Sequence, residues 1–278
     1  MCLELNFIDQ IKIKSESFHG GKRLDNFNEN KKPLFSIITV VYNNQKYLEE
    51  TIKSVIGQSF KNYEYIIIDG GSKDNTLDII KKYEQYIDYW ISEKDKGIYD
   101  AFNKGMSLCK GDYIGIVNSD DVYEKNALEI IYKYLEKDKH KKLDFIFGSV
   151  RKHWGVLHGY KPQKIHYSWG FYSSHSTGFF LKRESAKIIG LYNLKYKYHA
   201  DYDYFYRMIV KKKMNGIATN KEEITGTFRR GGFSSKIKFR KLFFEELKIR
   251  YDHKQSIVLI FIIFIYKSIK NFKKIIFS

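Results

Sequence analysis

Short apolar runs alternate with segments of helical periodicity over the first half of the chain. Phe35–Val41 is rich in β-branched residues and is predicted to be a buried strand. Apolar residues then recur at helical spacing between positions 47 and 56, which predicts an amphipathic helix. The same alternation continues with strands at 63–68, 89–91 and 113–117 and helices at 77–87 and 98–106. This order predicts an α/β fold with a mostly parallel central sheet and helices on both faces.

The second half of the chain has a less regular pattern. Apolar runs at 145–150 and 178–181 predict two further strands, and residues 202–210 predict a helix. The first 32 residues are polar and irregular. The expected organisation is an N-terminal extension (1–32), a main domain (33–235, with halves 33–125 and 126–235) and a basic helical tail (236–278).

Polar or acidic residues follow each predicted strand of the first half. They are Tyr42 and Asn43 after the first strand, Asp69 at the second, 93–95 after the third and 118–121 after the fourth. In open parallel sheets, ligands bind outside the carboxyl ends of the strands. Loops are generally polar, so any one of these positions alone would carry little information. Four in succession predict a binding site at this edge of the sheet.

Composition narrows the class of protein. The 278 residues are 43% hydrophobic, which is enough for a sizeable core and excludes a disordered chain. Two cysteines, Cys2 and Cys109, cannot build a disulfide framework and favour a reducing compartment. Charges interrupt the first 30 residues, so no signal peptide is expected. The sequence contains none of the GxGxxG, GxxxxGK[ST] and GxSxG signatures of dinucleotide-binding proteins, P-loop proteins and hydrolases.

The chain is strongly basic, with 49 Lys and Arg against 32 Asp and Glu. A biased genomic base composition would explain a general excess, but the excess is uneven, because residues 236–278 hold 11 basic and 3 acidic residues. Such a concentration favours a negatively charged partner, either nucleic acid or a membrane surface. The sequence contains no RNP-like motif, helix-turn-helix signature or zinc finger, so we do not expect nucleic acid to be the partner.

The basic tail contains an unbroken apolar run at 257–266. Spanning a bilayer takes about 20 apolar residues, so a simple transmembrane helix is disfavoured. Lysines and apolar residues are interleaved from 267 to 277. The pattern predicts a pair of helices lying on an anionic membrane surface. The alternative is an ordinary core helix followed by a solvated end.

The loop Asn118-Ser119-Asp120-Asp121 directly follows an apolar strand. Two carboxylates at a strand end suit a hard cation such as Mg²⁺ or Mn²⁺, which also binds a diphosphate. The alternative is a helix N-cap, a position that Asn and Asp favour.

Several stretches together resemble the family 2 glycosyltransferases. They are TVVYNN (39–44), IDGGSKDNT (68–76), SEKDKGIYDAFNKG (92–105), VNSDD (117–121), SHSTGFF (174–180), YHADYDYFYRM (198–208) and GGFSS (231–235). The resemblance covers about residues 34–235 and is greatest to the branch of colanic acid and capsular polysaccharide glycosyltransferases. It implies a GT-A fold whose first half binds a nucleotide-sugar.

The resemblance also implies roles for individual residues. Donor-binding residues would be Thr39, Val40, Tyr42, Asn43, Asp69, Lys96, Gly97, Asn103, Asn118 and Ser119, with Asp69 bonded to the base. Asp120 matches the metal-binding carboxylate of the DxD signature, with Asp121 beside it, and the implied cofactor is Mn²⁺ or Mg²⁺. The family motif places His175 near the site. Separately, Arg229 and Arg230 precede two glycines and would either wrap a diphosphate or form a solvated turn.

Sugar transfer also needs a carboxylate that takes the proton of the acceptor hydroxyl. Asp201 matches the family's catalytic base, and Asp203 is the alternative. On a helix these two acids do not share a face, so only one should point at the donor. The sequence departs from the commonest family pattern in having Asn118, Gly70 and Ala200 where acids are frequent.

We therefore expect an inverting, metal-dependent hexosyl- or N-acetylhexosaminyl-transferase. The expected donor is a nucleotide-sugar, first a UDP-sugar, and the expected acceptor is a polyprenyl-diphosphate-linked saccharide in surface polysaccharide biosynthesis. The expected location is the cytoplasmic face of the plasma membrane, and homo-oligomerisation stays open. The alternatives are a catalytically inactive homologue and a basic protein that binds nucleic acid or another anion.

Overall fold

The computed structural model describes residues 17–24, 32–140, 142–168, 171, 176–231 and 237–272. Its strands are β1 (Phe18–Gly20), β2 (Phe35–Val41), β3 (Tyr63–Asp69), β4 (Tyr89–Ser92), β5 (Tyr113–Ile116), β6 (Val122–Tyr123), β7 (Phe145–Phe147), β8 (Ser149–Lys152), β9 (Gly155–Leu157), β10 (Phe179–Lys182), β11 (Gly216–Ala218) and β12 (Ile224–Thr227). Its helices are α1 (Leu48–Ile56), α2 (Thr76–Lys82), α3 (Ile98–Leu108), α4 (Ala127–Lys137), α5 (Arg183–Ile189), α6 (Ala200–Tyr206), α7 (Phe239–Asp252) and α8 (Ile257–Lys270).

Among the described residues, the main sheet has eight strands in the order β1-β4-β3-β2-β5-β10-β7-β11. Its centre is parallel, because β2 pairs with β3 and β5, and β3 pairs with β4. Strand β10 runs antiparallel to both of its neighbours. The predicted α/β architecture is confirmed. The predicted N-terminal extension holds an unexpected strand, because β1 pairs antiparallel with β4 at the edge of the sheet.

Strand β2 shows why the central strands read as continuous apolar runs. All seven of its residues are buried, and alternate side chains enter different cores. Ile38 and Val40 pack into the core that includes α3, whereas Ile37 and Val41 pack into the core that includes α1. A parallel strand covered on both faces has no solvent side, so its sequence does not alternate between apolar and polar residues.

The strand predicted at 145–150 is wrong as a single element. The strand is interrupted at Gly148. Strand β7 belongs to the main sheet, and β8 belongs to a second sheet in the order β6-β12-β8-β9. A Cβ atom on Gly148 would lie 2.3 Å from side-chain atoms of Thr225, so only glycine allows β12 to approach this closely. The second sheet brings the 228–231 segment next to the loop that follows β5.

The predicted C-terminal helix pair is present and packs on the main domain. The rings of Phe243 in α7 and Phe264 in α8 stack with centroids 5.9 Å apart. Glu246 accepts hydrogen bonds from Arg250 and from Lys267, which joins the two helices. Arg250 is fully buried and also donates to the His166 carbonyl. Within the described residues, no helix is both long and apolar enough to cross a bilayer.

The Glu246–Arg250–Lys267 network is expected to stabilise the fold at neutral pH. We expect Arg250→Met to lower the free energy of unfolding by about 3 kcal/mol, because it leaves part of a buried charge network unpaired. Lys248→Met is the matched control, since Lys248 is an exposed cation on the same helix. Urea denaturation measures both variants, and equal losses would contradict a structural role for Arg250.

The same network sets the pH dependence of this effect. Burial alone would raise the pKa of Glu246, but the charges of Lys267 and Arg250 hold that pKa below its usual value. A depressed pKa adds stability above the unfolded value of about 4.3 and loses it as the pH falls through the folded value. The difference between wild type and Arg250→Met should therefore shrink in acid.

Candidate active site

Hydrogen bonds join the loops that follow β2, β3 and β5 at the carboxyl edge of the sheet. The Asn43 amide N–H donates to Ser72 Oγ (2.7 Å), which joins the first loop to the second. Asn44 Nδ2 donates to Ser119 Oγ (2.9 Å), which joins the first loop to the third. Asn43 has a positive φ of 48°, a conformation that asparagine tolerates better than most residues. The predicted clustering of these loops is therefore present.

Asp69 lies at the end of β3 and is fully buried. Its Oδ1 accepts a hydrogen bond from Ser72 Oγ, and its Oδ2 accepts from the Ser72 amide and from Ser92 Oγ. The carboxylate thus ties the loop after β3 to the end of β4. The structure gives Asp69 a role in shaping the site, and its predicted bond to the base stays a prediction.

The residues predicted from the first motif lie on different sides of the sheet. Tyr42 is 60% exposed at the end of β2, so its ring is available for stacking. Val40 is 5% exposed and packs in the core that includes α3. Thr39 is fully buried, and its hydroxyl lies 2.9 Å from the Tyr65 hydroxyl. The structure therefore brings Tyr42 to the site edge but places Thr39 in the interior.

The loop after β4 leads into α3. Gly97, at φ 119°, precedes the first residue of α3, and no atom lies within 4 Å of the Cβ that it lacks. Lys96 is exposed beside it. Asn103 is different, because its amide is buried and pairs with both the N–H and the carbonyl of Tyr192 (2.8 and 2.9 Å). Lys96 and Gly97 therefore lie at the site, whereas Asn103 holds the segment that leads towards α6.

The loop after β5 offers oxygen atoms for a divalent cation. Asn118 Oδ1 is buried and has no hydrogen-bond partner among the described residues. Asp120 follows two residues later and is partly exposed. An amide oxygen and a carboxylate are suitable ligands for Mg²⁺ or Mn²⁺, whose remaining positions would be filled by water and substrate phosphates. No group of three acidic, His or Cys side chains suited to a metal occurs within the described ranges.

Asp121 lies in the same loop but faces the interior. It is fully buried, and its Oδ1 accepts a hydrogen bond from the Arg229 amide (2.9 Å). Burial, with the nearby charge of Asp120, raises the pKa of the Asp121 carboxyl to about 8. These contacts give Asp121 a structural role in joining the 228–231 segment to this loop, and its metal-binding role stays a prediction.

Arg229 is held beside Asp120. Its Nε donates to the Asp120 carbonyl (3.1 Å), and its guanidinium also pairs with Glu50. The guanidinium carbon lies 4.4 Å from the centre of the Tyr47 ring. Arg230 is exposed next to it. Both arginines therefore lie in the segment that borders the candidate metal site, and His175 lies outside the described residues.

Asp201 lies in the first turn of α6 and is 6% exposed. Its Oδ1 accepts a hydrogen bond from the Tyr202 amide (2.9 Å) and lies 3.1 Å from the Tyr99 hydroxyl, whose single proton is shared between this carboxylate and the Tyr198 carbonyl (2.9 Å). Burial and the Asp201 charge raise the pKa of Tyr99 well above its usual value, so its hydroxyl stays protonated. Because Tyr99 is the second residue of α3, this bond links the loop of Lys96 and Gly97 to the predicted base.

Asp203 points to a different neighbourhood. Its Oδ2 accepts a hydrogen bond from Arg207 Nε (2.9 Å), and its Oδ1 lies 2.9 Å from His253 Nε2. Asp203 thus fixes α6 against the end of α7. The two acids of the motif have separate partners, as the helical spacing predicts.

Two contributors were absent from the sequence prediction. Tyr99 was visible only as part of the GIYDAFNKG stretch, and its contact with Asp201 spans 102 positions. Asp95 was visible as an acid after β4, but its place against Gly70 depends on the approach of two loops. A Cβ atom on Gly70 would lie 2.5 Å from Asp95 Oδ2.

These features define an α/β protein with polar loops joined at the carboxyl edge of its sheet and a buried acid, Asp201, bonded to the start of α3. Residues 36–214 match the profile of Glycosyl transferase family 2. The chain belongs to this family, which confirms the resemblance to family 2 glycosyltransferases predicted from the sequence motifs.

Related sequences carry glycosyltransferase names. An uncharacterized glycosyltransferase of Methanocaldococcus jannaschii is 29% identical over 81% of this chain and 81% of its own length. The Bacillus subtilis protein TuaG, provisionally named as a teichuronic acid biosynthesis glycosyltransferase, is 41% identical over 36% of this chain and 41% of its own length. The chain thus spans less than two thirds of several relatives that it matches.

Solved structures show the same fold at low sequence identity. S. aureus TarS 1–349 in complex with UDP-GlcNAc aligns with a TM-score of 0.60 at 17% identity, over 78% of this chain and 65% of that one. The mannosyltransferase PcManGT of Pyrobaculum calidifontis, in complex with GDP-Man and Mn²⁺, aligns with a TM-score of 0.59 at 13% identity, over 82% and 66%. The predicted GT-A fold is therefore confirmed.

The geometry predicts that Asn103 acts on stability more than on nucleotide binding. Asn103→Ala removes both partners of the buried Tyr192 backbone and should lower the free energy of unfolding by about 1–3 kcal/mol. Ser107→Ala is the control, because that hydroxyl donates only to the Asn103 carbonyl in the same helix. Urea denaturation and nucleoside diphosphate titration test this. A loss of affinity without a loss of stability would favour the donor-binding role instead.

Proposed function

We propose that this family 2 glycosyltransferase moves a sugar from a nucleotide-sugar, first a UDP-sugar, to an acceptor hydroxyl with inversion at C1. The observation that carries the proposal is the arrangement of the two acids in α6. Asp203 is engaged by Arg207 and His253, whereas Asp201 is held by Tyr99 at the start of α3. Asp203 is thus paired with basic side chains that anchor the helix, whereas Asp201 lies against the helix that follows the Lys96–Gly97 loop, and we assign the role of base to Asp201.

Side chains at the carboxyl edge of the sheet would supply the charge complement that a nucleoside diphosphate requires. Lys96 and Gly97 lie in the loop before α3, and Arg229 borders Asp120. Asn118 and Asp120 would hold the divalent cation, which when bound offsets the negative charge of the leaving diphosphate. Cationic side chains fixed near the diphosphate favour the same charge as it develops in the transition state.

The second half supplies the proton acceptor. As the C1–O bond to the diphosphate breaks and the bond from the acceptor oxygen to C1 forms, the hydroxyl proton would pass to the Asp201 carboxylate. The Tyr99 hydroxyl and the Tyr202 amide both contact Oδ1, which restrains this oxygen at the start of α6. Direct displacement with a single base inverts the configuration at C1.

Replacing each acid should separate these roles. We expect Asp201→Asn and Asp120→Ala to lower kcat by about 10²–10⁴-fold, the range for losing a general base or a major electrostatic group. Asp203→Asn should mainly lower stability, because Arg207 and His253 lose a buried charged partner. Sugar release from a panel of nucleotide-sugars with Mn²⁺ measures turnover. If Asp203→Asn is as inactive as Asp201→Asn while remaining folded, the base assignment would have to be revised.

We also propose that α8 docks the enzyme on an anionic membrane surface. Its outer face carries an exposed apolar stripe, which Phe272 extends just beyond the end of the helix and whose helical members are Ile257, Val258, Phe261, Ile262, Ile265, Tyr266 and Ile269. Phe264 and Ile263 face inward, so the helix is folded against α7 while the stripe stays uncovered by the described residues. The basic excess of residues 236–278 suits anionic lipid headgroups.

Membrane docking would fit a lipid-linked acceptor. A polyprenyl-diphosphate saccharide presents its sugar at the membrane surface, so an enzyme lying on that surface meets it by diffusion in two dimensions. The relative named for teichuronic acid biosynthesis supports a role in surface polysaccharide assembly. The proposed location is therefore the cytoplasmic face of the plasma membrane.

Cosedimentation with vesicles tests the docking surface. The full chain should bind vesicles that contain anionic phospholipid and bind zwitterionic vesicles less. Phe261→Asp combined with Ile265→Asp should lower binding at least tenfold, because charges replace apolar side chains on the exposed stripe. Ile188→Asp is the control, since Ile188 is 58% exposed on α5. Equal binding by the stripe variant and the control would contradict the proposal.

A further inference from the structure

We propose that Asp95, rather than Asp69, is the carboxylate that recognises the nucleobase of the donor, and that it selects bases with a ring N–H. This inference rests on the proposed nucleotide-sugar function and specifies its donor. The bases concerned are uracil, thymine and guanine, whose ring N–H groups can donate to a carboxylate, whereas cytosine and adenine have no such donor at the pairing edge.

Asp69 is poorly placed for this task. Its side chain is fully buried, and three donors from Ser72 and Ser92 already occupy its oxygens. A carboxylate has about four acceptor positions, so little capacity remains for a ligand. A ligand would have to displace bonds that hold the loop after β3. Asp69 therefore acts on the site through Ser72 and Ser92.

Asp95 lies close enough to Asp69 for their charges to interact. Within the described residues, its Oδ1 is hydrogen-bonded, and its Oδ2 is the oxygen that we assign to the base. Its Oδ1 accepts a hydrogen bond from the Gly97 amide (2.8 Å), and its Oδ2 lies over the backbone of Gly70. Burial raises the pKa of Asp95, and the charges of Asp100 and Asp69 add to the shift. A partly buried carboxylate in this setting gains from an N–H donor, which stabilises its charged form.

Two glycines create the space for this carboxylate. A Cβ on Gly70 would lie 2.5 Å from Asp95 Oδ2, and a Cβ on Gly71 would lie 3.1 Å from the Lys94 amide nitrogen. Gly71 also has a φ of 80°, which favours glycine. The Gly70-Gly71 pair thus lets the loop after β4 rest on the loop after β3, with Asp95 at their junction.

The end of β2 adds an exposed aromatic ring at the same edge of the sheet. Strands β2, β3 and β4 are adjacent and parallel, so Tyr42, Gly70 and Asp95 follow their carboxyl ends in that order. The Tyr42 ring is 60% exposed and offers a face for stacking. The Tyr42 ring could stack on a nucleobase, and the Asp95 carboxylate beside Gly70 could accept a hydrogen bond from an N–H at the edge of that base.

Titration of nucleoside diphosphates tests the inference. With Mn²⁺, the full chain should bind UDP or GDP at least tenfold more tightly than CDP and ADP. Asp95→Asn should weaken that preferred nucleotide by about 10- to 100-fold, the range for a hydrogen bond to a charged group. Because Gly97 would keep the Asn carbonyl, the amide N–H₂ would face the base, so CDP should lose less affinity or gain.

Two further variants keep the result decisive. Gly70→Ala should also weaken the preferred nucleotide, because the new methyl group displaces the Asp95 carboxylate while the Gly70 backbone needs no positive φ. Asp78→Asn removes the same charge from an exposed site on α2 and should bind like wild type. Melting temperatures report whether each variant is folded.

The outcomes separate this inference from the function on which it rests. Wild type that binds no nucleoside diphosphate would overturn the proposed function and the inference with it. Wild type that binds UDP or GDP tightly while folded Asp95→Asn and Gly70→Ala keep that affinity would overturn only the inference. Preferred binding of CDP or ADP by wild type would also overturn it.

Discussion

The hydrogen bond from Tyr99 to Asp201 connects the two halves of the site. Tyr99 belongs to α3, which begins directly after the loop of Lys96 and Gly97, and Asp201 belongs to α6 in the second half. Because Tyr99 and Asp201 are both buried, this contact ties the loop before α3 to the acid of α6. Direct displacement needs the acceptor oxygen and C1 in line, and such alignment depends on elements that do not drift relative to each other.

In each of the two acidic motifs, Asp120–Asp121 and Asp201–Asp203, the second acid has structural partners. In 120–121 the second acid is buried against the Arg229 amide, and in 201–203 the second acid is buried against Arg207. The remaining member of each pair lies at the carboxyl edge or against α3. A buried acid with fixed partners anchors its loop or helix, and that rigidity positions the acid beside it. The candidate site therefore depends on carboxylates that need not touch substrate.

The fold could be predicted from local sequence patterns, whereas the partners of the candidate site residues could not. Helix α3 follows from the helical spacing of its apolar residues, and strand β2 follows from an uninterrupted apolar run, which is what burial on both faces of a strand leaves in a sequence. The division of 145–150 into two strands was not predictable, since it depends on Thr225 approaching Gly148 from far along the chain. Asn103 and Thr39 match a motif but meet Tyr192 and Tyr65 in the interior. A sequence motif identifies the type of residue at a position, but the groups that its side chain contacts depend on tertiary structure.

Helix α7 also holds the segment that immediately precedes α6. Glu245 of α7 accepts hydrogen bonds from three consecutive backbone amides, those of Lys197, Tyr198 and His199, immediately before the helix that carries Asp201. The basic tail thus acts as a scaffold for α6, in addition to the membrane-docking role proposed for α8. Proteins that aggregate are often shortened before crystallisation. Shortening this chain to the family-matched region would remove Glu245 and leave those three amides without their acceptor. Purification strategies for this enzyme should keep α7 and adjust only the outer face of α8.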